Sequence, residues 1–96
     1  MAKFHVTTTF WIESKQWFVL AGSIVEGVIR PGMMVNIPLN GSVSLSEPVD
    51  SIEFARREGG EDVCLCLVYD DPEVLSVWQA MDICDEVLEI SPKEID

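Results

Sequence analysis

Positive charge is scarce in this sequence. Six lysines and arginines stand against seventeen aspartates and glutamates, which leaves a net charge of −11 with the single histidine neutral. Sequence-independent binding of RNA or DNA depends on lysine and arginine neutralising phosphates, so this balance argues against an autonomous nucleic-acid binder. The deficit is also unevenly placed. Residues 1–57 hold five acids and five bases, whereas residues 58–96 hold twelve acids and one lysine. Such a surface repels phosphate and attracts a basic partner, or serves only as a solubilising face.

Long hydrophobic runs are missing as well. The first residues, Met1-Ala2-Lys3-Phe4-His5, lead straight into a patterned segment with no apolar core of a signal peptide. The longest uncharged run, residues 31–46, contains Pro31, Pro38, an Asn40-Gly41 pair and several serines, a mixture foreign to a membrane-spanning helix. A soluble, cytoplasmic protein without a membrane partner is expected.

Groups for catalysis are few. His5 is the one histidine and lies far in sequence from the three cysteines, Cys64, Cys66 and Cys84. A cysteine or serine nucleophile needs a base within hydrogen-bond reach, and zinc normally takes four Cys, His or carboxylate ligands, so neither a catalytic pair nor a metal centre is expected. An odd cysteine count, with two thiols alternating along one apparent strand, fits reduced side chains and no disulfide. Asp70-Asp71 and Asp85-Glu86 are the acid pairs expected beside a helix rather than a general acid and base. The chain lacks a Gly-x-x-x-x-Gly-Lys-Ser/Thr loop, which excludes GTP hydrolysis by that device. No enzyme activity and no cofactor are predicted.

Strand signals, by contrast, fill the chain. Residues 4–12 and 17–21 are rich in β-branched and aromatic side chains around a Glu13-Ser14-Lys15-Gln16 turn, and the second run continues past Gly22, a natural bend point. Arg30-Pro31-Gly32-Met33 has proline and glycine where a type II turn needs a fixed and a positive φ. A strand over 34–39 and an Asn40-Gly41 hairpin follow. Residues 49–57 alternate, Glu58-Gly59-Gly60-Glu61 reads as a loop, and residues 63–68 are apolar on both faces, as a fully buried strand is. Asp71-Pro72-Glu73 marks a helix start, with apolar residues at helical spacing to residue 81. Residues 87–90 form a last strand. At 96 residues there is room for one core, so we expect a single domain over residues 1–90 and a polar tail over 91–96.

The segment Phe18-Val19-Leu20-Ala21-Gly22-Ser23-Ile24-Val25-Glu26-Gly27-Val28-Ile29-Arg30-Pro31-Gly32-Met33-Met34-Val35-Asn36-Ile37 resembles the second, barrel-forming domain of elongation factor Tu and related translational GTPases. Val49-Asp50-Ser51-Ile52-Glu53-Phe54 and Glu61-Asp62-Val63-Cys64-Leu65 are similar to later strands of that domain, and Val87-Leu88 to its last. The resemblance covers about residues 10–90. It implies an all-β fold, a closed six-stranded Greek-key β-barrel, carrying here one short helix near residues 72–81. In the translation factors this barrel contacts the acceptor end of aminoacyl-tRNA or ribosomal RNA, and Glu53 and Arg56 match positions near the terminal adenosine there, with Arg57 beside them. Two departures bear on function. The family's glycine-rich, arginine-containing turn is replaced by Ser14-Lys15-Gln16-Trp17, and the region 71–85 is longer.

Trp11 and Trp17 flank that altered turn, and tryptophan is enriched at binding hot spots. The sequence therefore points first to a noncatalytic module that binds another protein, a basic one by charge, through a surface around Trp11 and Trp17. An RNA-facing role centred on Glu53, Arg56 and Arg57 is the alternative, and a small-ligand barrel the third.

Overall fold

The computed structural model describes residues 2–40, 43–80, 83 and 85–92. Seven strands and one helix follow in chain order: β1 (Ala2–Ile12), β2 (Trp17–Glu26), β3 (Met34–Asn40), β4 (Val43–Pro48), β5 (Ser51–Arg57), β6 (Gly60–Val68), α1 (Pro72–Ala80) and β7 (Glu86–Ser91), with a single 3-10 turn at Glu13–Lys15. All strand pairs are antiparallel, in the order β4-β3-β7-β1-β2-β6-β5. The last strand thus inserts between β1 and β3, so that strands far apart in sequence complete the sheet.

Alternation decides which face is inside. Ala2, Phe4 and Val6 of β1, Phe18 and Leu20 of β2, Val35 and Ile37 of β3, Leu65 and Leu67 of β6, and Leu88 and Ile90 of β7 all point to the concave side and are buried. The sheet curls around them. Trp78 reaches in from α1 and packs on Phe18, ring centroids 5.4 Å apart at 49°, while Ile29, Val49 and Ile83 complete the same cluster. The apolar stripe of the helix therefore covers its own core, leaving Val74 and Val77 outside.

Curling needs local devices. The β1–β2 ladder shifts register between Val6 and Thr8, opposite Gly22. A Cβ on Gly22 would lie 1.8 Å from the His5 carbonyl oxygen, so the two backbones approach more closely here than any side chain allows. The Arg30-Pro31-Gly32-Met33 turn forms as expected, with Gly32 at φ 95 and Met33 N–H donating to Arg30 C=O at 3.2 Å. The 58–61 loop contracts to Glu58-Gly59, because Arg57 and Gly60 already pair across it. The tip of the Asn40-Gly41 hairpin lies outside the described residues, but β3 and β4 pair on either side of it.

The expected closed barrel of six strands is not what forms. Among the described residues there are seven strands, and the edge strands β4 and β5 share no ladder. The reason lies at Val49-Asp50. Val49 N–H donates to Met33 C=O at 2.9 Å, on the β3 side, and Asp50 N–H donates to Cys66 C=O at 2.8 Å, on the β6 side. Successive residues thus serve opposite edges, and the chain leaves this corner along a new partner. The result is a strongly curled half-barrel whose two edge strands are joined through that corner. Among the described residues, no helix is long and apolar enough to cross a membrane.

Candidate binding surface

The turn that carries the two tryptophans is built by Glu13–Lys15, closed by Gln16 in the left-handed region at φ 54. Gln16 C=O then accepts from Tyr69 N–H at 3.0 Å, which fastens the turn to the end of β6. Trp11 pairs with Phe18, and Ile12 with Trp17. Residues directly opposite share a face, so the two tryptophans take opposite faces of one hairpin and do not form one patch.

Trp17 lies on the convex face, where Val19, Ala21, Cys64 and Cys66 form a second, smaller buried cluster against Trp17 and Ile12. Its indole N–H donates to the Asp50 carboxylate at 3.2 Å, and the Lys15 ammonium sits 4.6 Å from its ring centroid. Trp17 thus packs against the end of this cluster and is held at both ends. Trp11, on the other face, is 47% exposed, and its neighbour Phe10 on the convex side 40%.

The residues carried over from the translation-factor pattern diverge. Glu53 lies opposite Cys64 and accepts from the Ser51 hydroxyl at 2.6 Å. Arg56, three residues on, points to the other face, opposite Glu61. The Arg57 backbone pairs with Gly60, and its side chain lies outside the described residues. Glu53 and Arg56 therefore cannot line one pocket on this strand.

The thiols are poorly suited to nucleophilic work. Burial, then the Glu53 carboxylate, then neighbouring Cys64, push Cys66 up to about 11. Burial, with Asp62 and Glu53, raises Cys64 as well. Nucleophiles and metal ligands act as thiolates, a form these surroundings oppose. His5 is engaged elsewhere, its Nε2 2.7 Å from the Asp85 carboxylate. Cys84 lies outside the described residues. A shallow groove of about 310 Å³ runs over Asn36, Pro38, Val87, Leu88 and Glu89 on the outside of β3 and β7. Beside it Asn36 donates to Ser91 and Glu89 and accepts from Ser46, so that polar row is satisfied within the sheet.

One feature was missed in the sequence. β7 starts at Glu86, opposite Val6, and pairs with β1 only over the first part of that strand. Residues 8–12 have β2 on one side and, among the described residues, no strand on the other. Only the unbroken Thr7-Thr8-Thr9-Phe10-Trp11-Ile12 run, uncharged and proline-free, hinted at it.

Fold and surface together define an all-antiparallel curled β domain with an aromatic-bearing strand end. No family model, curated protein or solved structure matches the chain.

Proposed function

We propose that this chain is a noncatalytic, cytoplasmic protein-binding module with a translation-factor-like ancestry of its curled sheet, and that its partner is basic. One observation carries the reading: Phe10 and Trp11, successive residues on opposite faces of one strand end, are 40% and 47% exposed in a chain of charge −11. Large aromatic side chains in the open are the usual anchors of protein interfaces, and the acidic surroundings select and steer a basic partner. The RNA-facing alternative finds less support, since Glu53 and Arg56 point apart and the net charge repels phosphate.

Affinity capture from native cell extract, with the purified domain as bait and with and without nuclease, tests the reading. Nuclease-insensitive retention of one or two basic proteins, lost when Trp11 is replaced by alanine, is the expected result. Recovery of tRNA or ribosomes that disappears with nuclease overturns it in favour of the RNA-facing alternative.

A further inference from the structure

A β-strand edge left without a neighbour exposes a row of N–H and C=O groups, and proteins usually blunt such edges with charge, proline or short length. Two edges here are blunted in that way. β5 carries Glu53, Arg56 and Arg57, and β4 ends in Glu47 and Pro48. The outer side of residues 8–12 has neither device: the run Thr8-Thr9-Phe10-Trp11-Ile12 is uncharged and free of proline. Among the described residues, no backbone hydrogen bond reaches it from outside the hairpin. Within a strand, alternate residues turn their N–H and C=O to the same side, so at least two residues of this stretch present both groups outward.

Side chains flank the edge on both faces. Phe10 stands on the convex face and Trp11 on the concave one, each about half exposed. An added strand laid along residues 8–12 would find main-chain partners in the middle and an aromatic ring on either side, the arrangement by which extended peptides join a sheet. The ends of the stretch are acidic. Glu13 lies exposed beyond Ile12, and Asp85 and Glu86 lie exposed where β7 begins beside Val6. Lys15 is turned over the Trp17 ring on the convex face.

We infer that the outer edge of residues 8–12 is a strand-addition site, and that its occupant is an extended segment of another protein with alternating apolar residues and lysine or arginine at both ends. The inference rests on the protein-binding reading and names its surface. A second copy of this chain fits less well, because it would bring another charge of −11 to the same place.

The test uses the whole chain and a defined probe, the capped peptide Lys-Lys-Val-Thr-Val-Thr-Val-Lys-Lys, with a control in which glutamate replaces every lysine. Binding is followed by amide chemical shifts and hydrogen exchange. The expected result is that amides within residues 8–12 shift and exchange at least tenfold more slowly with the lysine peptide. The glutamate peptide should bind at least tenfold more weakly, and added salt should narrow the difference. Because adjacent residues turn their N–H to opposite sides, one of Thr9→Pro and Phe10→Pro removes an outward N–H and leaves the β1–β2 ladder intact. Whichever variant retains the wild-type near-ultraviolet circular dichroism should lose the peptide. Shifts confined to another surface, no binding of the lysine peptide, or concentration-dependent dimerisation through this edge would each overturn the inference. If the folded proline variant captures the same cellular proteins as wild type, the edge is wrong while the protein-binding reading stands.

Discussion

The Trp17 indole N–H donates to the Asp50 carboxylate at 3.2 Å, joining the turn after β1 to the corner at which the chain passes from β4 to β5. Asp50 also donates its own N–H to Cys66 C=O, so one residue fixes both the tryptophan at the end of the convex cluster and a strand of that cluster. A hydrogen bond to a charged acceptor contributes about 1.5–3 kcal/mol, less where water competes. Trp17→Phe and Asp50→Ala should each destabilise by about 1 kcal/mol, and the double variant by less than their sum. Urea unfolding of the four proteins measures this. Strict additivity would mean that the contact contributes nothing.

Gly22→Ala should be among the most damaging single changes in the chain. The new Cβ would fall 1.8 Å from His5 C=O and 3.1 Å from Thr7 N, both backbone atoms, and no rotamer change relieves a clash with backbone. Overpacked sites cost about 1–3 kcal/mol and occasionally more, and this site belongs at the upper end or beyond. A midpoint of unfolding close to that of wild type would show that the β1 irregularity yields instead.

Trp78 is 2% exposed, and its Nε1 has no hydrogen-bond partner among the described residues. Trp78→Ala removes the ring that closes the concave core and should cost about 3–5 kcal/mol. Trp78→Phe keeps the contact with Phe18 and deletes the orphaned donor, whose burial costs about 1–3 kcal/mol. It should therefore be much milder than the alanine change, within about 1.5 kcal/mol of wild type. Equal losses for the two variants, read from denaturant midpoints, would mean that the indole nitrogen is satisfied in solution.

Local features were legible in the sequence where a residue's own chemistry dictates the backbone. Pro31-Gly32 sets its turn and Asp71-Pro72 starts its helix, and both appear in the structure; the two-faced apolar pattern of 63–68 marks β6, which lies beside the edge strand β5 and is buried at residues 64–67 but leaves Val68 exposed. Long-range pairing was not legible. Nothing in residues 87–90 announces that they slot between β1 and β3, or that β7 stops short of the outer half of β1. Nor does a tryptophan's place in the sequence give its face. Trp11 and Trp17 flank one turn yet point to opposite sides, because the turn joins two strands whose opposed residues alternate.

The helix start offers a smaller, cleaner test. The Asp71 carboxylate accepts from Glu73 N–H at 2.9 Å, and Asp71 C=O accepts from Val74 N–H at 3.0 Å. Replacing a capping aspartate by alanine typically costs about 1 kcal/mol. Asp71→Ala should lower stability by that amount, while Asp71→Asn, which keeps an accepting oxygen, should lose less. An unchanged thermal midpoint in Asp71→Ala would indicate that packing of Trp78 alone holds α1.

Cys66 ties stability to alkaline pH. Its thiol, raised to about 11 in the fold by burial first and then by Glu53, ionises near its ordinary value once the chain unfolds. The folded state therefore holds the proton more tightly. The stability this contributes is fully present below the unfolded value and is lost as pH rises through the folded one. Unfolding free energy should fall between about pH 9 and pH 11. Cys66→Ala, which has nothing to ionise, should flatten that decline. Native protein at pH 8 should also leave Cys66 unmodified by iodoacetamide long after the urea-unfolded chain has reacted, since only the exposed thiolate is nucleophilic. Rapid alkylation of Cys66 in the folded protein would place the thiol in solvent and overturn its burial in the convex cluster.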